Sequence, residues 1–314
     1  MEKLYAAPLE GVTTHIWRRA HRHIFGGADK YYTPFLSPNG NLCFQTKELR
    51  EVTQGETDLV PQLLTNSAEY FIWGARELQK MGYREVNFNL GCPSGTVVAK
   101  HKGSGLLSDL AYLDRLLDEI FNALPDLQIS IKTRIGRYET GEWERLLEVF
   151  NRYPIAELTV HPRVQKEFDG GAAHRDIFLW TKEHSRLPLV YNGDVNTPDD
   201  EALRYGCAVM LGRGLMRRPA LLREIRDGAT ATREELTAFH DEVYAGYEQL
   251  LSGALPAIYR MREFWNYLGC SFTGTEEYIK QIRKAKTAAS YQAAAQGILR
   301  ECAMRSDERN FGQK

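Results

Sequence analysis

Short, β-rich apolar runs separated by stretches of helical periodicity recur eight times along the first two-thirds of the chain, and this alternation constrains the fold more than any other feature. The runs fall at residues 4–7, 30–34, 59–63, 86–90, 129–133, 157–160, 189–192 and 208–211. Amphipathic helices are expected between several of them, at 67–81, 107–123, 141–151 and 175–184. Asn66-Ser67 supplies a start signal for the first helix, and Thr197-Pro198-Asp199-Asp200 predicts another ahead of the last run. Strands that alternate with helices pair in parallel, because a parallel neighbour is reached only by a crossover. Eight such units, with no Gly-x-Gly-x-x-Gly after an early strand, predict a (β/α)8 TIM barrel rather than an open doubly wound sheet.

The alternation stops near Gly228-Ala229-Thr230. Thr232-Arg233-Glu234-Glu235 is a capping-box start, and four helical segments come after it at 232–253, 256–268, 275–285 and 290–304. Short turns between them predict a small antiparallel bundle whose aromatic residues form its core. The expected architecture is therefore an α/β barrel domain over 1–228, a small all-helical C-terminal domain over 229–306, and a tail at 307–314.

A hydrophobic content of 43% is enough to fill a core of this size. Residues 1–8 carry no apolar run of signal-peptide length, and no stretch approaches the roughly 20 apolar residues of a membrane span. Five cysteines, an odd number with no Cys-x-x-Cys pair, argue against a disulfide framework or a structural zinc site. The expectation is a soluble, reducing, cytoplasmic protein without a metal. Net charge is −1, so any polyanion must be met by local patches. Basic residues gather at Arg213, Arg217, Arg218, Arg223 and Arg226, at Arg260 and Arg262, and at Lys280, Arg283, Lys284 and Lys286.

In a parallel barrel the chemistry sits at the C-terminal ends of the strands. Those ends here read Ala7-Pro8-Leu9-Glu10-Gly11, Gln62, Asn89-Leu90-Gly91-Cys92-Pro93, Lys132-Thr133-Arg134, His161-Pro162-Arg163, Asn192-Gly193-Asp194 and Gly212-Arg213-Gly214. The last two come after the seventh and eighth runs, where glycines and Arg213 can hold the phosphate of a cofactor. Cys92, between Gly and Pro just past a strand, has the setting of a functional thiol. The other four cysteines sit in apolar or helical surroundings. Residue type alone leaves Cys92 open between nucleophile and acid.

These segments, with Lys100 and Gly103-Ser104-Gly105-Leu106-Leu107 downstream of the cysteine, resemble the dihydrouridine synthase family over nearly the whole chain. The resemblance implies an FMN-binding barrel followed by an RNA-binding helical domain, acting on tRNA with NADPH or NADH as reductant. It assigns FMN contacts to Pro8, Leu9, Glu10, Gln62, Lys132, His161, Asn192, Gly193, Asp194, Gly212 and Arg213. Cys92 would be the general acid that protonates uracil after hydride addition. Asn89, Lys100, Arg134 and Arg163 would lie near the uracil or its phosphate, and Arg283 and Lys284 would meet RNA. Leu9 and Leu90 stand where the family often has Met, and Ser94-Gly95-Thr96 is a less common continuation of the motif. Two other readings compete: an FMN barrel oxidoreductase of dihydroorotate or dihydropyrimidine type acting on a small molecule, and a non-catalytic RNA-binding protein.

Overall fold

The computed structural model describes residues 2–53 and 55–305; the expected tail at 307–314 lies outside them. Nine strands run in parallel: β1 (Leu4–Ala6), β2 (Lys30–Tyr32), β3 (Leu59–Val60), β4 (Gln62–Leu63), β5 (Glu85–Leu90), β6 (Gln128–Arg134), β7 (Leu158–His161), β8 (Leu189–Tyr191) and β9 (Ala208–Leu211). Their order is β3-β2-β1-β9-β8-β7-β6-β5-β4. β3 and β4 are the two halves of the single run expected at 59–63. Pro61 has no N–H for the ladder and divides them, yet its carbonyl still accepts the Asn87 N–H at 2.8 Å. One half pairs with β2 and the other with β5, so the ring closes as an eight-stranded (β/α)8 TIM barrel.

Tyr5, Ala7, Tyr32, Val60, Val190 and Met210 fill the barrel interior. At its N-terminal end Lys30 Nζ bridges Glu85 and Glu157, each at 2.7 Å, and the Tyr5 hydroxyl donates to Glu157 at 2.7 Å. This plug leaves the opposite end as the open one. Outside the strands, the helix Ala68–Lys80 starts where Ser67 accepts from the Tyr70 N–H, and it buries Phe71, Ala75 and Leu78 against the sheet. The expected helix at 107–123 begins only at Leu110, because Gly103–Ser108 is a 3-10 turn and Asp109 caps the helix from its far side. The expected helix after Thr197-Pro198 is a correction: it is a single 3-10 turn, Glu201–Arg204, stopped by Gly206 at φ +69° before β9 begins.

The chain after β9 is helical: Arg213–Arg217, Leu221–Asp227, Arg233–Leu250, Ala254–Leu268, Glu276–Lys284 and Ala288–Glu301 are its α-helices. Arg233–Leu250 opens on the expected Thr232/Glu235 capping box. It packs on the first barrel helix, His15–Ile24, where the Phe239 ring meets Trp17 edge-on at 6.0 Å and Phe25 at 5.4 Å. The C-terminal helices therefore share one continuous core with the barrel's outer layer.

Candidate active site

A cavity of about 310 Å³ opens at the C-terminal ends of the strands. Each wall can be traced to a strand end.

The cysteine wall continues from β5. Asn89 is buried, and its Oδ1 accepts the N–H groups of Gly91 (3.0 Å) and Cys92 (2.9 Å), which folds the loop over the strand end. Its Nδ2 donates to Gln62 Oε1 at 2.7 Å, and Gln62 Nε2 donates to Asn87 at 2.7 Å. These buried amides hold one another rigid, and Gln62 and Asn89 both line the cavity. The Gly103-Ser104 turn clamps the loop from outside. Ser104 gives the Cys92 carbonyl both its N–H (3.2 Å) and its hydroxyl (2.8 Å). Burial pushes the Cys92 thiol above its ordinary value, against the Ser94 N–H and the cations Arg134 and Lys132. The thiol is thus protonated at neutral pH, which suits an acid and not an activated nucleophile.

The cationic wall comes from β6 and β7. Burial, with Arg134 alongside, lowers the Lys132 ammonium to about 8. Arg134 spans the rim, donating to Gly91 O (3.1 Å), Val164 O (3.2 Å), the Phe168 carbonyl and Asp169 (3.2 Å). His161 is held neutral, far below the usual histidine range, by burial and then by the surrounding Arg134, Lys132, Arg163 and Arg213. Arg163 Nη1 lies 3.0 Å from His161 Nε2. A guanidinium only donates, so Nε2 accepts and the ring proton sits on Nδ1.

The remaining wall is built by β8, β9 and β1. Asn192 donates to Met210 O at 2.7 Å. Asp194 accepts from Arg213 at 2.9 Å and from Arg163. At Gly212 an added Cβ would meet only Ala7 and Leu9 side chains, at 3.8 and 4.0 Å, all three of them cavity residues; the glycine keeps that space open. Pro8, Leu9, Glu10 and Gly193 complete this side.

Four residues singled out from the sequence do not line the cavity. Arg163 is 1% exposed and acts from behind, through His161 and Asp194. Lys100 is exposed on the outer rim, where its carbonyl accepts from Asn66 at 3.0 Å. Arg283 and Lys284 are exposed on the helix Glu276–Lys284. In the first basic group, Arg223 pairs with Glu235, Arg226 with Asp29 and Arg218 with Glu224, so most of it is engaged within the fold. Cys43 corrects the expectation for the other cysteines, since it is exposed in a loop with its thiol on Asn39.

Asp169, Glu263 and Tyr267 line the cavity without having been singled out. Glu263 and Tyr267, four apart on Ala254–Leu268, share a helix face. Their i,i+4 spacing was legible, but which face meets the barrel was not. Among the described residues no group of three or more His, Cys, Asp or Glu side chains is placed to hold a metal ion, and no helix is long and apolar enough to cross a membrane.

The chain is similar to known proteins over most of its length. The chain is 28% identical over 316 residues to the probable tRNA-dihydrouridine synthase of Staphylococcus aureus (strain COL), covering 91% of this chain and 90% of the relative. It is 29% identical over 239 residues to the tRNA-dihydrouridine(16) synthase of Ralstonia nicotianae, covering 72% of this chain and 73% of that one. Among solved structures, a variant of NCR from Zymomonas mobilis has a similar fold, with a TM-score of 0.50 and 13% identity over 74% of this chain and 88% of that one. The dihydrouridine synthase (Dus) family pattern matches residues 5–306. Because that match takes in every wall of the cavity and the helices beyond it, the chain belongs to the dihydrouridine synthase family and is an oxidoreductase.

Proposed function

We propose that this protein reduces uridine to dihydrouridine in tRNA, with FMN in the mouth cavity, NADPH or NADH as reductant, and Cys92 as general acid. One observation carries the reading beyond family membership: a protonated, half-buried thiol shares a cavity with Lys132, a neutral His161 and the Arg213 loop.

The residues fit the cofactor. A flavin mononucleotide offers carbonyl and phosphate oxygens, and this cavity offers donors and cations around the open cradle at Gly212. Lys132, Gln62 and His161 would meet the ring's polar edge. Arg213, with the backbone of Asn192, Gly193, Asp194 and Gly212, would hold the phosphate, and Pro8, Leu9 and Glu10 would border the cofactor on the β1 side. When bound, FMN supplies the hydride that saturates C6 of uracil.

The chain's own groups do the rest. Addition at C6 leaves enolate-like charge over C5 and O4 of the base. Cys92 gives C5 its proton, and the burial that keeps the thiol protonated keeps that proton available. Asn89 fixes the loop carrying the thiol through two N–H contacts. Lys132 and Arg134 supply positive charge where the base turns negative. Arg163 sets the tautomer of His161, so that Nδ1–H is the free donor. The target base must leave its stack to enter the barrel mouth, which exposed loops of tRNA allow at low cost. Lys100 on the rim, with Arg283 and Lys284 on the C-terminal helices, would take RNA phosphates. A tRNA substrate implies work in the cytoplasm.

The test is direct. Purified protein should release FMN on denaturation and, with NADPH, form dihydrouridine in unmodified tRNA. Cys92→Ala should keep its flavin and lose nearly all product formation by mass spectrometry of digested tRNA. Wild-type turnover in that variant would remove the acid role. Equal turnover on free uridine would favour a small-molecule oxidoreductase instead.

A further inference from the structure

We propose that the loops after β6 and β7 form an RNA-stacking platform that grips the strand flanking the target uridine, across the mouth from the C-terminal helices. This rests on the reading of the protein as a tRNA-reducing enzyme and adds where the RNA is held.

Two large aromatic side chains in these loops lie in solvent, Tyr138 at 47% and Phe168 at 51% exposure. The loops are tied into one surface: the Gln165 N–H donates to Gly136 O at 2.9 Å and the Lys166 N–H to Arg137 O at 3.3 Å. Two cations lie against the Tyr138 ring, with the Arg137 guanidinium 4.9 Å and Lys166 Nζ 4.7 Å from its centroid. Neighbouring carboxylates are largely committed. Glu142 accepts the N–H groups of Arg137 (2.6 Å) and Tyr138 (3.1 Å). Glu167 accepts from Val164 N at 2.6 Å and contacts His174 at 2.7 Å, and Asp169 is held by Arg134 at 3.2 Å. Glu139 keeps an exposed carboxylate. The loops present to solvent an aromatic surface of mixed charge, on which the two cations lie directly against the Tyr138 ring.

The fold gains little from the Phe168 ring. Phe168 sits at φ +49°, a strained conformation for a bulky residue, and its apolar surface is exposed. The surface is also continuous with the site. Gln165 Nε2 donates to the carbonyl of Pro93, next to Cys92, and Asp169, next to Phe168, lines the cavity. Counting β3 and β4 as one, β6 stands directly across the ring from β1. The helix Ala254–Leu268 meets the mouth on the β1 side, where Gly11 lies close to Arg260 and Glu263. A strand crossing from that helix to Tyr138 must pass over Cys92's cavity.

Aromatic faces beside cations are how proteins hold unpaired nucleotides without reading their sequence. A base laid on Tyr138 would displace Lys166 from the ring and leave its ammonium to pair with the adjoining phosphate.

The test uses full-length protein and unmodified tRNA. Tyr138→Ala/Phe168→Ala should raise both the KM for tRNA and the Kd in filter binding by roughly fivefold to a hundredfold. The effect on KM should exceed that on kcat, and Tyr138→Trp should bind like wild type. Tyr138→Ala alone, at an exposed position, serves if the double variant misfolds. Wild-type affinity in the alanine variants overturns the platform. Absence of any dihydrouridine from wild-type protein would instead defeat the proposed activity, and the binding measurement would still decide the platform.

Discussion

At Gly103 the backbone runs at φ +56°, and a Cβ there would lie 2.9 Å from the Cys92 carbonyl oxygen and 3.0 Å from its Cβ. No side chain fits without moving the thiol loop, which explains why a glycine eleven residues downstream belongs to the cysteine's motif. Gly103→Ala should cost about 1–3 kcal/mol of stability and should depress product formation more than flavin content, because the strain falls on Cys92 and not on the cofactor walls. Thermal melts and flavin absorbance will separate the two, and an unchanged melt with full turnover would refute the clamp. Lys132 gives a pH signature. Its proton leaves near pH 8 in the folded chain, against 10.5 for an ordinary lysine. Below about 8 both states are charged, and folding bears the whole cost of burying the ammonium. Between about 8 and 10.5 the unfolded chain binds the extra proton, so stability rises with pH across that window. Lys132→Met should therefore melt higher than wild type at pH 7, with the gap narrowing by pH 10. In the same wild-type protein FMN affinity should fall above about pH 8, as the cation that attracts it is lost. A gap independent of pH would mean that Lys132 is not the group responsible.

At the scale of elements, much of the barrel was legible because parallel strands are buried on both faces and read as continuous apolar runs. The run at 208–211 and the helix at 175–184 match the structure end to end. The illegible parts arise from local competition. Pro61 splits one strand, and a 3-10 turn replaces a helix where Gly206 leaves too little room before β9. The cavity's β-side residues were readable as strand ends, since the barrel's topology sends every such end to one mouth. Asp169, Glu263 and Tyr267 were not, because they reach the cavity through a loop and through helix docking that no local pattern encodes. That docking depends on Phe239, packed among Trp17, Phe25 and Phe264. Phe239→Ala should cost about 3–5 kcal/mol. It should also weaken RNA binding, by loosening the C-terminal helices from the barrel. Calorimetry and filter binding check the two effects, and a loss under about 1 kcal/mol would mean that the helices are held elsewhere.

The whole molecule has a net charge of −1, so nothing in its overall field draws in a polyanion. Attraction must come from where the arginines and lysines are left unengaged. The cluster around Arg223 and Arg226 is largely bound to Glu235 and Asp29 and adds little outward field. Arg283 and Lys284 are different. They end an exposed helix and have no carboxylate partner among the described residues, only the neutral Asn266 amide at 3.2 Å from Arg283. Each phosphate contact steepens the fall of log K with log salt by roughly 0.7–0.9. Arg283→Glu/Lys284→Glu should thus weaken tRNA binding and make its salt dependence shallower by about 1.4–1.8, while the bound flavin, held by the barrel mouth, stays stoichiometric. A filter-binding series from low to moderate salt reads the slope. An unchanged slope would take this helix end out of the RNA interface and leave the barrel mouth, through Lys100 and Lys166, as the surface that must supply the charge.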